Sequence, residues 1–149
     1  MTSHLTGTAL TIEREFRAAI EDVFDAWTNP ARMAEWMSPV GHAEATVDLA
    51  VDGRFRVTMI NGQTRIEHTG TYLVVDPPND LSFTWHSPYT GSEPSVVTVS
   101  LVARGTATRM VLTHRRLPED QVGPHSQGWG SMLDRLDSHL GGISHRDPE

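Results

Sequence analysis

Between residues 42 and 115 the chain alternates apolar and polar residues at period two, segment after segment, and only one long amphipathic stripe follows. That imbalance constrains the fold more than any other feature. A single helix cannot cover a flat sheet of six or seven strands, so the sheet must curl around it, and the space left at the rim is where a cavity forms.

The strands are separated by recognisable turn chemistry. Ala43–Leu49 leads to Asp52-Gly53, a hairpin signal, after which Phe55, Val57 and Met59 alternate with Arg54, Arg56 and Thr58. Asn61-Gly62 marks a second hairpin, and the next strand runs from about Arg65 to Val75 until Asp76-Pro77-Pro78-Asn79-Asp80 breaks it. Leu81, Phe83 and Trp85 alternate again. A long loop, Ser87–Pro94, precedes strands at 95–103 and 108–115, joined at Arg104-Gly105-Thr106.

Ahead of this meander, Leu10, Ile12 and Phe16 read as a first strand. Ile20, Val23, Phe24 and Trp27 then fall at helical spacing, and Asn29-Pro30 ends that helix and opens another carrying Met33, Ala34, Trp36 and Met37. After Leu117-Pro118 the stripe Trp129, Met132, Leu133, Leu136 and Leu140 marks the long helix, ended by Gly141-Gly142. Gly123-Pro124 leaves two starts open: a helix from about 124 to 140, or one from near Glu119 that Pro124 interrupts. The tail at 143–149 reads as frayed and solvated. The expected architecture is therefore α+β, with two short helices after the first strand, six to seven antiparallel strands, and a long C-terminal helix, in one domain with its core at about 8–140.

Composition narrows the function. The chain has 149 residues, 38% hydrophobic and 21% charged, enough for one sizeable core. With 19 acidic against 12 basic residues and a formal charge of −7, it would repel a phosphate backbone, so no nucleic-acid partner is expected. No cysteine is present, which excludes disulfides and thiolate chemistry within the chain. The opening residues have no signal-peptide pattern and no stretch approaches a membrane span, so a cytoplasmic location without membrane contact is expected. The Ser87–Pro94 loop and an edge strand are the features that would support a homodimer.

Five local patterns, in order over about residues 8–140, resemble the family of activators of heat-shock protein 90 ATPase homologues, within the START-like or birch-pollen-allergen-like (SRPBCC) superfamily. They are Ala26-Trp27-Thr28-Asn29-Pro30 with Trp36; Asp52-Gly53-Arg54-Phe55-Arg56; His68-Thr69-Gly70-Thr71-Tyr72 with Asp76-Pro77-Pro78 and Leu81-Ser82-Phe83-Thr84-Trp85; Thr108–His114; and His125-Ser126-Gln127-Gly128-Trp129 followed by Leu133, Leu136 and Leu140. Two departures are Asp52, where the family often has a second glycine, and Gly123-Pro124. The resemblance implies a helix-grip fold with an internal cavity. It implies little about activity, because the fold hosts carriers, cyclases and co-chaperone domains.

For chemistry, eight histidines suggest metal, but none forms a ligand pair at helical spacing, the nearest being His139 and His145, and no metal or cofactor is expected. No nucleophile elbow, paired carboxylates or phosphate loop is present. His68 shares a strand face with Ile66, Gly70, Tyr72 and Val74, and His114 follows Met110 and Leu112. Each reads either as a structural histidine or as a polar group in an apolar pocket. The residues expected to bind a small hydrophobic or aromatic ligand are Phe55, Val57, Met59, His68, Tyr72, Phe83, Trp85, Trp129, Met132 and Leu133. The reading is non-covalent binding in a cavity between sheet and helix. A cyclase or aromatase type of enzyme is the first alternative, with His68, Tyr72 or His114 moving a proton. A co-chaperone-like domain activating a partner ATPase is the second. Gly70→Leu is expected to fill the cavity and leave the fold intact.

Overall fold

The computed structural model describes residues 2–141, and the expected frayed tail lies outside them. In chain order the elements are β1 Thr2–Thr6, β2 Ala9–Phe16, α1 Ile20–Thr28, α2 Pro30–Trp36, β3 His42–Val47, β4 Arg54–Asn61, β5 Thr64–Asp76, β6 Asp80–Trp85, β7 Ser95–Arg104, β8 Ala107–Arg115 and α3 Glu119–His139. All pairings are antiparallel, in the order β1-β2-β8-β7-β6-β5-β4-β3. The curved sheet thus has eight strands, one more than the upper expectation, and the short helices follow the second strand. The extra strand, β1, has no run of apolar alternation; as an edge strand it is held by backbone pairing, Thr6 opposite Ala9 across a two-residue turn.

Two local departures stand out. Asp52-Gly53 ends a turn from Ala50 (Gly53 N–H to the Ala50 carbonyl, 2.8 Å) but forms no two-residue hairpin: β3 and β4 are joined by six residues, 48–53, laid against β5, with Asp52 N–H donating to the Tyr72 carbonyl (2.9 Å) and Tyr72 N–H to the Gly53 carbonyl (2.9 Å). A register shift between Tyr72 and Val74 is a bulge at Leu73 that reverses the alternation of β5. Val74, expected on the buried face with His68 and Tyr72, is therefore exposed, and Val75 packs against the core instead. Of the two starts left open for the long helix the structure has the earlier one: α3 begins at Glu119 and carries Pro124 inside it.

The core lies between the concave side of the sheet and the three helices. All four tryptophans are buried and form a contiguous array: Trp36 against Trp27 (4.7 Å between ring centres), Trp27 against Trp129 (5.8 Å), Trp129 against Trp85 (5.5 Å). Trp27 and Trp36, on the two short helices, are core residues that prop α3.

The two halves of α3 are held differently. The C-terminal half buries Met132, Leu133 and Leu136 and is tethered by ion pairs and hydrogen bonds. Arg14 of β2 reaches Asp134 (2.9 Å), Arg135 donates to the carbonyls of Ser38 and Gly41, and Arg32 donates to His139 Nε2 (3.0 Å). The N-terminal half holds Gly123, Gly128, Gly130 and Pro124, which oppose helix formation by about 1 kcal/mol for each glycine and about 3 for proline. Packing does not demand all of these glycines, since a Cβ on Gly123 or Gly130 would meet nothing within 4 Å. Gly123→Ala with Gly130→Ala should therefore stabilise the protein by about 1–2 kcal/mol, read as a higher urea midpoint with unchanged slope.

Candidate functional site

A cleft of about 330 Å³ opens between the sheet and the N-terminal half of α3. Met59 of β4, Ile66 and His68 of β5 and Trp85 of β6 form its sheet wall. Gln121, Pro124, His125, Gly128, Trp129 and Met132 of α3 form its roof, with Pro39 and Tyr89 from loops at its ends. Among the described residues no Asp, Glu, Lys or Arg lines it.

Of the ten residues expected to bind a ligand, Met59, His68, Trp85, Trp129 and Met132 line this cleft. Phe55, Tyr72 and Phe83 sit deeper, packed on one another at 5.2–6.1 Å around a void of about 10 Å³, at most the space of one water. Val57 and Leu133 are fully buried and line neither. The bend of the sheet explains this division: inward positions near its middle meet the helices, and only those towards one end face open space. Sequence reasoning missed Pro39, Ile66, Tyr89, Gln121, Pro124, His125 and Gly128, all of which except Ile66 of β5 belong to loops or to a helical segment full of breakers. His125 carried one usable signal, four residues before Trp129 on the same helical face.

The proposed cavity-filling change also fails on geometry. Gly70 does not line the cleft, and a Cβ there would stand 2.0 Å from the Thr84 carbonyl oxygen and 2.4 Å from the Phe55 ring. Gly128 does line it, and a Cβ there would meet only Pro39, at 4.0 Å.

Three histidines surround the site with distinct roles. His114, fully buried, is committed to the protein at both nitrogens. The indole N–H of Trp129 can only donate, and it donates to His114 Nδ1 at 3.0 Å. Nε2 therefore carries the proton and donates to Ser95 Oγ (2.7 Å), whose hydroxyl donates to the Trp85 carbonyl (2.6 Å). This relay joins β6, β7, β8 and α3 and fixes a neutral tautomer. Burial, with lesser repulsion from His125 and His68, lowers the His114 pKa to about 3. His114 is a structural histidine.

His68 is 6% exposed, stacks on Trp85 with ring centres 4.7 Å apart, and has its pKa lowered to about 4 by burial first and His125 second. Its Nδ1 is buried without a hydrogen-bond partner. His125, half-buried on the roof, hydrogen-bonds through Nδ1 to the Gln121 carbonyl (2.9 Å), and burial lowers its pKa as well. Tyr72 is away from the cleft, and burial pushes its phenol pKa up. Of the three residues considered for proton transfer, only His68 faces the open space. Among the described residues no cluster of three or more His, Asp or Glu side chains is placed to hold a metal.

The relay gives a direct test. Trp129→Phe keeps most of the packing but leaves a buried acceptor unpaired, at a cost of about 1–3 kcal/mol. Trp27→Phe should cost less, because the Trp27 indole N–H has no partner to lose. Urea unfolding of the two variants side by side measures the difference.

A curved antiparallel sheet gripping one long helix, with a cleft between them, defines the START-like helix-grip class. The chain belongs to the family described as Activator of Hsp90 ATPase homolog 1-like protein, whose model matches residues 17–141. Among solved structures it is similar to an AHSA1 protein from Silicibacter pomeroyi, at 31% identity over 89% of this chain and 97% of that one, with a TM-score of 0.77. It is also similar to CalU16 from Micromonospora echinospora, at 26% identity over 89% and 75% of the two chains, with a TM-score of 0.71. An HSP90 activator from Plasmodium falciparum, at 22% identity over 91% and 97%, with a TM-score of 0.77, shares the fold. No match was found among curated proteins. Among the described residues no helix is long and apolar enough to cross a membrane.

Proposed function

We propose that this protein binds a small hydrophobic or aromatic molecule non-covalently in the cleft between the sheet and α3. The observation that carries this reading is the cleft's composition: about 330 Å³ walled by Trp85, Trp129, Met59 and Met132, with no Asp, Glu, Lys or Arg among the described residues that line it. Indole faces bring large, rigid contact area, methionines adapt to shape, and the volume falls at the low end of ligand sites. Proton-transfer chemistry is less well supported, because Tyr72 and His114 are directed to the core and do not converge with His68 on the cleft. The likeness to an Hsp90 activator, at 22% identity, bears on the fold alone.

Native mass spectrometry of freshly purified protein, followed by release and identification of any bound compound, tests the reading. A stoichiometric apolar or aromatic compound is expected, absent from Gly128→Leu, whose side chain enters the cleft while improving helix propensity. Re-addition at 100 times Kd should stabilise the parent by about 2.7 kcal/mol and leave Gly128→Leu unchanged. A compound bound equally by the folded variant would place binding elsewhere, and a clean apo mass with no stabilisation by an aromatic panel would sink the reading.

A further inference from the structure

Resting on the binding reading above, the ring nitrogens of the two histidines that line the cleft bear on the ligand's chemistry. His125 commits Nδ1–H to the Gln121 carbonyl (2.9 Å), since a carbonyl can only accept, which leaves Nε2 with a lone pair. His68 is arranged in parallel. Its Nδ1 is sealed from solvent, with the backbone carbonyls of Ile66 and Val57 near enough to favour a proton on the ring. The ring is neutral, so one of its two nitrogens carries a lone pair. Two neutral imidazoles, one on the sheet wall and one on the roof, thus line the same space, and at His125 the free acceptor is Nε2. Charged ligands have no counter-ion there, and desolvating one without a partner is costly. The stacked His68 and Trp85 rings, 4.7 Å apart and 31° from parallel, present flat faces.

We infer that the cleft selects an uncharged planar aromatic molecule bearing a hydroxyl group, with the hydroxyl donating a hydrogen bond to Nε2 of His125. The ligand class is a neutral phenol, as distinct from an aromatic acid, a fatty acid or a plain hydrocarbon.

Four probes of one shape separate the possibilities by equilibrium dialysis at neutral pH: 2-naphthol, naphthalene, 2-methoxynaphthalene and 2-naphthoate. The naphthol should bind about tenfold more tightly than naphthalene or the methyl ether, the effect of one hydrogen bond. The naphthoate should not bind at concentrations that saturate with naphthol. His68→Phe with His125→Phe should remove the tenfold preference for naphthol over naphthalene. If that double variant does not fold, the comparison of naphthol with its methyl ether decides the matter on the unaltered protein.

Equal binding of naphthol and the methyl ether overturns the hydroxyl inference while leaving the binding reading in place. Naphthoate binding as tightly as naphthol overturns the requirement for a neutral ligand. Failure of all four probes on folded protein, or naphthol binding that survives Gly128→Leu, tells against the cleft reading itself.

Discussion

The protein is expected to lose stability steeply between pH 6 and pH 4. At neutral pH His68 and His114 carry no charge, folded or unfolded, and contribute nothing to pH dependence. Below the ordinary histidine value of 6.5 the unfolded chain takes up protons on both rings, while the folded chain resists until about pH 4 at His68 and about pH 3 at His114. The unfolded state then binds more protons, so the free energy of unfolding falls with pH by about 1.4 kcal/mol per unit for each ring. Over two units and two rings the loss is on the order of 5 kcal/mol, a large part of the 5–15 typical of a domain. Because the folded pKa values are depressed, this stability is fully present above about pH 6.5 and drains away as acid approaches those values. Urea unfolding at pH 7.5, 6, 5 and 4 reads it directly. His114→Asn, whose Oδ1 can still accept from the Trp129 indole, should remove roughly half of the slope; a flat profile in the parent would sink the argument.

Gly70→Ala should be among the most damaging single changes. A methyl group at this position would stand 2.0 Å from a backbone oxygen of the neighbouring strand and 2.4 Å from the Phe55 ring. Phe55 is 5% exposed and wedged against Tyr72, Phe83 and Trp85, so it has nowhere to go, and the Thr84 carbonyl moves only if β5 and β6 separate. Overpacking ordinarily costs about 1–3 kcal/mol, and with a backbone atom as the obstacle the upper end or more is expected. Thermal unfolding measures it, with Gly130→Ala as the control that should raise the midpoint.

These two residues also show where the sequence was legible. His68 at period two from Tyr72 located a buried face correctly, because alternation is a local property of the strand. Alternation could not say what lay above that face. Gly70 read as empty space within a pocket, whereas the ring of Phe55 fills it from the adjacent strand, and Val74 changed sides through a bulge that leaves no mark in the pattern. The helix-grip arrangement was legible because the ratio of strands to helices dictates it. The cleft's roof was not, since Gln121, Pro124 and His125 lie in a segment whose glycines and proline look locally like a loop and become helical only against the rest of the molecule.

That last point bears on how a ligand would get in. The sheet wall is tied into hydrogen-bonded pairing on both sides, and the far half of α3 is clamped by arginines from β2 and α2 and by its own Arg135. The first three turns have weak intrinsic propensity and only Val122 and Trp129 fully seated. Opening therefore costs least there, by loosening of the roof rather than parting of the strands. A molecule stacked beneath Trp129 would supply the apolar contact that those turns lack. Occupancy and the winding of the helix would then be a single equilibrium, in which the guest serves as the missing piece of the core that shelters it.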